Sequence, residues 1–225
     1  MHRRALKARE KVLGLEHPST FTSVNNLGLV LESQGKYEEA EVIHRRALKA
    51  REKVLGPEHP SIFTSVNNLG SVLSSQGKYE EAEVMHWWAL KAREKVLGPE
   101  HPSTLTSVDN LGSVLSSQGK YKEAEVMHRQ ALKAREKVLG LEHPSTLTSV
   151  NNLGLALSSQ GKYEEAEVMH RRDLEGSEKV LGPEHPDTLI SVNNLGLVLK
   201  SQGKYEEAKA IHRRALKTKE VLELA

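Results

Sequence analysis

One stretch constrains this chain more than any other: Gly35-Lys-Tyr-Glu-Glu-Ala-Glu-Val-Ile-His-Arg-Arg-Ala-Leu-Lys-Ala-Arg-Glu-Lys-Val-Leu-Gly56. It returns almost letter for letter from Gly77, Gly119, Gly161 and Gly203, and Tyr37, Tyr79, Tyr121, Tyr163 and Tyr205 mark a period of 42 residues. Self-similarity at a fixed period of this size means stacked units, and it governs how every other motif is read. A length of 225 residues would otherwise suggest one or two globular domains. A repeat array instead has no central core, and its stability adds up unit by unit.

The repeated stretch reads as a helix, here helix B. Tyr37, Ala40, Ile43, Ala47, Ala50 and Val54 step by three and four along one face, with His44, Leu48 and Leu55 alongside. Glu38, Glu39 and Glu41 open it and Lys49, Arg51 and Lys53 close it, as the helix dipole favours. Gly56 supplies a left-handed stop, and Pro57 cannot continue the helix. The other half of each unit, helix A, runs in the second copy from Pro60 to about Gln76. Proline suits its first turn, and Val66, Leu69, Gly70 and Leu73 form its seam. Only Gly-Lys joins A to B, which is too short for anything but an antiparallel helical hairpin.

Leu27-Gly28 and Ala40…Ala47 match the Leu-Gly…Ala…Ala skeleton of the tetratricopeptide repeat. Together with the long period, Asn-Asn-Leu-Gly, Gln-Gly-Lys-Tyr-Glu-Glu-Ala-Glu, Arg-Arg-Ala-Leu and Glu-Lys-Val-Leu-Gly-Pro-Glu-His-Pro, the chain resembles the kinesin-light-chain type of that family. The resemblance covers essentially the whole sequence. It implies an all-α fold, a right-handed α-α superhelix (solenoid) of stacked antiparallel helix pairs whose A helices line a concave groove.

Residues 1–14 read as a partial repeat, the second half of a helix B, so a longer protein is the expected context. Residues 15–225 read as five tetratricopeptide-type repeats forming one continuous solenoid. Helices are expected near 18–34, 36–55, 60–76, 78–97, 102–118, 120–139, 144–160, 162–181, 186–202 and 204–222. After Leu216 the register drifts, and Val221, Leu222 and Leu224 read as an improvised cap. The fourth helix B reads as the weakest joint. Asp173 stands where other copies have a packing alanine, and Glu175-Gly176-Ser177 replaces Lys-Ala-Arg.

Where near-identical copies differ, the difference is informative. One helix-A position reads Asn25, Asn67, Asp109, Asn151, Asn193. Four residues on it reads Leu29, Ser71, Ser113, Leu155, Leu197, and three further it reads Glu32, Ser74, Ser116, Ser158, Lys200. These steps share one helical face, distinct from the apolar seam. Beside them Asn26, Asn68, Asn110, Asn152 and Asn194 offer an amide at every step. An amide can hold a peptide backbone, or it can bond between helices within the stack. Trp87-Trp88 replaces the usual Arg-Arg; the spacing predicts at least one exposed indole, either a drifted surface pair or a contact patch.

All eleven histidines are repeat positions. His17, His59, His101, His143 and His185 precede the helix-A proline; His2, His44, His86, His128, His170 and His212 share one helix-B position. A residue copied with its unit has a structural explanation first, so no metal site is expected. If the helix-B imidazole is half-buried, protonation would loosen the stack. No copy departs from the pattern so as to assemble a nucleophile with a base, and no glycine-rich phosphate loop is present. The expectation is no enzyme and no cofactor.

A net charge of +2 with interleaved signs and few aromatics argues against nucleic acid. No stretch is apolar enough to span a membrane. The lack of cysteine fits a reducing compartment, and the expected location is cytoplasmic. Kinesin light chains tend to carry Tyr-Arg late in helix A. Leu31-Glu32, Leu73-Ser74, Leu115-Ser116, Leu157-Ser158 and Leu199-Lys200 stand there instead, so the resemblance does not extend to acidic cargo. The leading reading is a non-enzymatic scaffold that holds a peptide or protein segment in the helix-A groove. The alternative is a sensor or oligomerisation array of a larger nucleotide-binding regulator.

Overall fold

The computed structural model describes residues 2–14, 17–56 and 59–223, with side chains placed for residues 4, 6, 8–14, 17, 19–56 and 59–214. Pro57, the His2 side chain and the cap of Val221, Leu222 and Leu224 lie outside these. Eleven helices account for nearly all of the described residues, and none of those residues is in a strand. They are α1 (His2–Leu13), α2 (Pro18–Ser33), α3 (Tyr37–Leu55), α4 (Pro60–Ser75), α5 (Tyr79–Leu97), α6 (Pro102–Ser117), α7 (Tyr121–Leu139), α8 (Pro144–Ser159), α9 (Tyr163–Leu181), α10 (Pro186–Ser201) and α11 (Tyr205–Glu223). Even numbers are A helices and odd numbers B helices, with ends within one or two residues of the sequence expectation.

Each A helix starts with a device that the sequence concealed. The imidazole Nδ1 of His17, His59, His101, His143 and His185 accepts the backbone N–H two residues on, at 3.1–3.2 Å. Histidine thus does the work usually given to Ser, Thr, Asp or Asn at an N-cap. Proline follows at a position whose N–H would have no helical partner. At the other junction Gly56 takes φ 79 and ψ 158. That positive φ with an extended ψ is open essentially to glycine alone, and it differs from the left-handed helical geometry expected.

The chain divides into two compact units, Met1–Val114 and Leu115–Ala225. In the first, consecutive helices α1 to α5 pack on one another in chain order, around a core that includes Leu27, Ile62, Phe63, Val66, Leu69, Val72 and Leu73. In the second, α7 to α11 do the same, with Leu153, Leu157, Leu195 and Leu199 fully buried. The seam is narrower than the apolar spacing suggests: Val54, Val96, Val138 and Val180 are exposed. They lie in the last turns of α3, α5, α7 and α9.

Helix A meets helix B through glycine and histidine. His44, His86 and His170 are fully buried, deeper than the half-buried setting under which protonation would loosen the stack. A Cβ on Gly70 would fall 2.7 Å from His86 Nε2, and one on Gly154 would fall 2.7 Å from His170 Cε1. Only a residue without a side chain lets the imidazole lie flat on the facing helix. Polar clasps link one repeat to the next. Glu41 accepts from Arg45 on its own helix and from Gln76 and Lys78 of the following repeat, and Lys78 does most to hold its carboxyl down at about 2. In the second unit Glu125 binds Arg129, Gln160 and Lys162 in the same way.

Candidate binding face of the A helices

The paired asparagines are the first candidates, and the structure shows what they do for the stack. Asn68 Nδ2 donates to Asn25 Oδ1, and Asn110 Nδ2 to Asn67 Oδ1, in the first unit. In the second, Asn194 Nδ2 donates to Asn151 Oδ1 at 2.8 Å. Each amide therefore spends one hydrogen on the preceding repeat, which is the inter-helix alternative. The row at 25, 67, 109 and 151 is not a face that the packing ignores. Asn25, Asn67 and Asn151 are half-buried, and Asp109 is buried outright. An amide has a second hydrogen and a further lone pair, so the ladder leaves it able to bond elsewhere.

Other positions on this face are open. Asn26, Asn193 and Ser113 are exposed, while Asn152 and Ser71 are half-buried. The large side chains matter most: Leu29 is exposed, Leu155 is 43% exposed and Leu197 52%. In α10 the position one heptad before Leu197 carries Ile190, also exposed, where other copies have threonine. Exposed aliphatic side chains on helices with a separate buried seam are not needed for folding. The third position on the face behaves differently. Glu32 turns inward, and its Oε1 lies 2.7 Å from His44 Nε2.

The tryptophan pair divides as the spacing predicts. Trp87 is 54% exposed with Lys91 Nζ 5.6 Å from its ring, while Trp88 packs partly buried against the core of the first unit. In a Trp88→Phe variant the remaining emission should be red-shifted and readily quenched by acrylamide. In Trp87→Phe it should be blue-shifted and less quenched. Equal quenching of the two variants would contradict this division.

One group is hidden from the sequence. The charge pattern places Arg51, Arg93 and Arg135 at the dipole end of helix B, yet all three are buried. Arg93 Nη1 donates to Ser107 Oγ at 2.6 Å and Ser103 O at 3.1 Å; Arg135 Nη1 donates to Ser149 Oγ at 2.7 Å and Ser145 O at 2.8 Å. Arg51 meets Ser65 and Ser61 likewise, so the guanidinium ties each B helix to the next A helix. The available signal is the strict recurrence of Arg and Ser fourteen residues apart. The fourth copy breaks it: Ser177 stands in the arginine position, and Asp173 one turn earlier is only 4% exposed. Ser191 Oγ, the hydroxyl that would have met the arginine, lies 2.6 Å from Asp173 Oδ2. Burial pushes the Asp173 carboxyl up to about 6 against the pull of Ser191 and Ser177.

Among the described residues no three His, Asp or Glu side chains are grouped so as to hold a metal ion, and no helix is long and apolar enough to cross a membrane.

Comparison with known proteins fits this architecture. The family model described as tetratricopeptide repeat matches residues 1–53, 20–95, 88–137, 108–176 and 145–220, and the chain belongs to that family. Within it, the chain is similar to proteins of the kinesin-light-chain type. It is similar over 93% of its length to a Podosopora anserina putative kinesin light chain with nearly identical TPR-like repeats, with 27% identity, 99% of that chain covered and a TM-score of 0.79. In fold alone it is also similar to BtubC (BKLC) from P. vanneervenii, at 22% identity and TM-score 0.82, covering 99% of this chain and 89% of that one. A Rap protein complexed with Competence and Sporulation Factor shares the fold at 16% identity and TM-score 0.79, covering 96% of this chain and 57% of that one. A search of curated proteins finds no match.

Proposed function

We propose that this chain is a non-enzymatic scaffold that holds an extended peptide or protein segment against the open faces of its A helices. The observation that carries the reading is the exposure of Leu155, Ile190 and Leu197 on α8 and α10, beside amides with bonding capacity to spare. Aliphatic side chains would take alternate residues of the segment, while Asn152 and Asn194 would pair with its backbone. The Rap protein, alike in fold alone, was solved in complex with a second molecule, which supports a binding role.

Replacing Asn68, Asn110 and Asn152 is not the cleanest test, because the Asn68 and Asn110 amides also tie repeats together. The exposed leucines avoid this. A peptide selected from a random display library against the whole chain should bind L155D/L197D at least about tenfold more weakly, since each tenfold is only about 1.4 kcal/mol. Helical content should be unchanged. Selected peptides that bind the variant as tightly as the parent would place the site elsewhere.

A further inference from the structure

The fourth repeat contains a cavity that an arginine fills in other copies. It has a volume of about 160 Å³ and lies between α8, α9 and α10, bounded by Leu147, Asn151, Asp173, Ser177, Asp187 and Ser191. Cavities of about this size accept a benzene-sized molecule, and a guanidinium group is smaller. Its polar lining corresponds position by position to what holds Arg93 and Arg135. Ser191 Oγ stands for Ser107 and Ser149 Oγ, and Asp187 O stands for Ser103 and Ser145 O. Two carboxylates have been added there, at Asp173 where other copies carry alanine and at Asp187 where they carry serine. The mouth opens beside exposed Ile190, on the α10 face that the proposed segment would follow.

We propose that this cavity is a socket for a guanidinium group, filled by an arginine side chain of the bound segment in place of the arginine that the fourth repeat lacks. The placement rests on the A-helix reading, but the socket's chemistry does not. The chain itself shows, in Arg93 and Arg135, that this site geometry holds a buried guanidinium through Nη1. In those copies the group meets neutral serine oxygens. In the fourth, Asp173 faces the open space, so an incoming cation gains a carboxylate partner and forms charge-assisted hydrogen bonds. Binding should follow the charge of Asp173. The other titratable group facing it is Asp187 from α10; the α8 residues at the cavity, Leu147 and Asn151 among them, do not titrate.

The test uses N-acetyl-arginine amide as probe on the whole chain, read by backbone amide NMR, with N-acetyl-citrulline amide as its neutral analogue. Saturable shifts in the millimolar range are expected at Ser177 and Ser191 with the arginine compound at about pH 7.5, clearly weakened at about pH 5, where Asp173 holds a proton. Citrulline should give none. Ser177→Arg, which refills the cavity with the side chain used in other copies, should abolish the shifts, and Asp173→Ala should weaken them at least about tenfold. Absence of shifts in the parent, equal shifts with citrulline, or shifts that persist in Ser177→Arg would each overturn the socket. Because the probe carries no peptide, its failure leaves the L155D/L197D result standing, and the reverse also holds.

Discussion

Acidification from about pH 6.5 to about pH 4 is expected to remove about 3 kcal/mol of stability for each of two buried histidines, His86 and His170. Each pH unit between the unfolded and folded values contributes about 1.36 kcal/mol. His86 is 2% exposed and His170 is 0% exposed. Neither His170 ring nitrogen nor His86 Nδ1 finds a hydrogen-bond partner among the described residues. Burial holds both imidazoles down to about 4, and nearby Arg93 adds repulsion at His86. Between about pH 6.5 and about pH 4 the unfolded chain binds protons that the folded chain refuses, so stability rises with pH through that window. It is complete above the unfolded value and lost as pH falls through the folded one. The Glu41 and Glu125 clasps, with carboxyls at about 2, weaken only at lower pH and contribute less because their partners are solvated. Urea midpoints across this range should fall steeply for the parent and much less for H86L/H170L. An equal fall in both would show that these rings are not responsible.

The second large effect has the opposite sign: Asp173→Ala should stabilise the protein by about 2–3 kcal/mol at about pH 7.5. A buried carboxyl with its titration raised to about 6 is protonated in the folded state where the unfolded chain is already ionised. Stability is therefore lost as pH rises from the ordinary aspartate value through about 6, and the cost is complete above it. Alanine removes that cost and restores the residue found in the packed position of other copies. Ser191 keeps an acceptor in Asp187 O at 3.0 Å. The difference between variant and parent should vanish at about pH 4 in urea titrations. A constant difference across pH, or a destabilised variant, would count against a carboxylate at Asp173 whose burial outweighs its serine hydrogen bonds.

The sequence carried the hairpins, their order and their ends because each rests on short-range chemistry: period, proline at the first turn, glycine at the stops. The Gly28 series was legible as a packing position for the same reason. Buried polar contacts were less so. The loop histidines cap helices through Nδ1, and nothing in composition separates that use of histidine from any other. Arg51, Arg93 and Arg135 have the charge of a surface residue and the burial of a core one, and only the depth of the following A helix decides between them. The asparagine row was visible as a pattern, but its meaning depends on the distance between A helices of adjacent repeats. Once that distance lets Asn194 reach Asn151, part of the apparent binding face becomes a joint. The exposed leucines, which owe nothing to the stack, are what remains.

Leucine and valine methyl NMR of the whole chain with a library-selected peptide tests the central claim most directly. The Leu155 and Leu197 methyls should shift and show contacts to the peptide, while Val126 and Val168 on the exposed side of the B helices stay in place. Contacts confined to Val126 and Val168, with Leu155 and Leu197 unmoved, would contradict it.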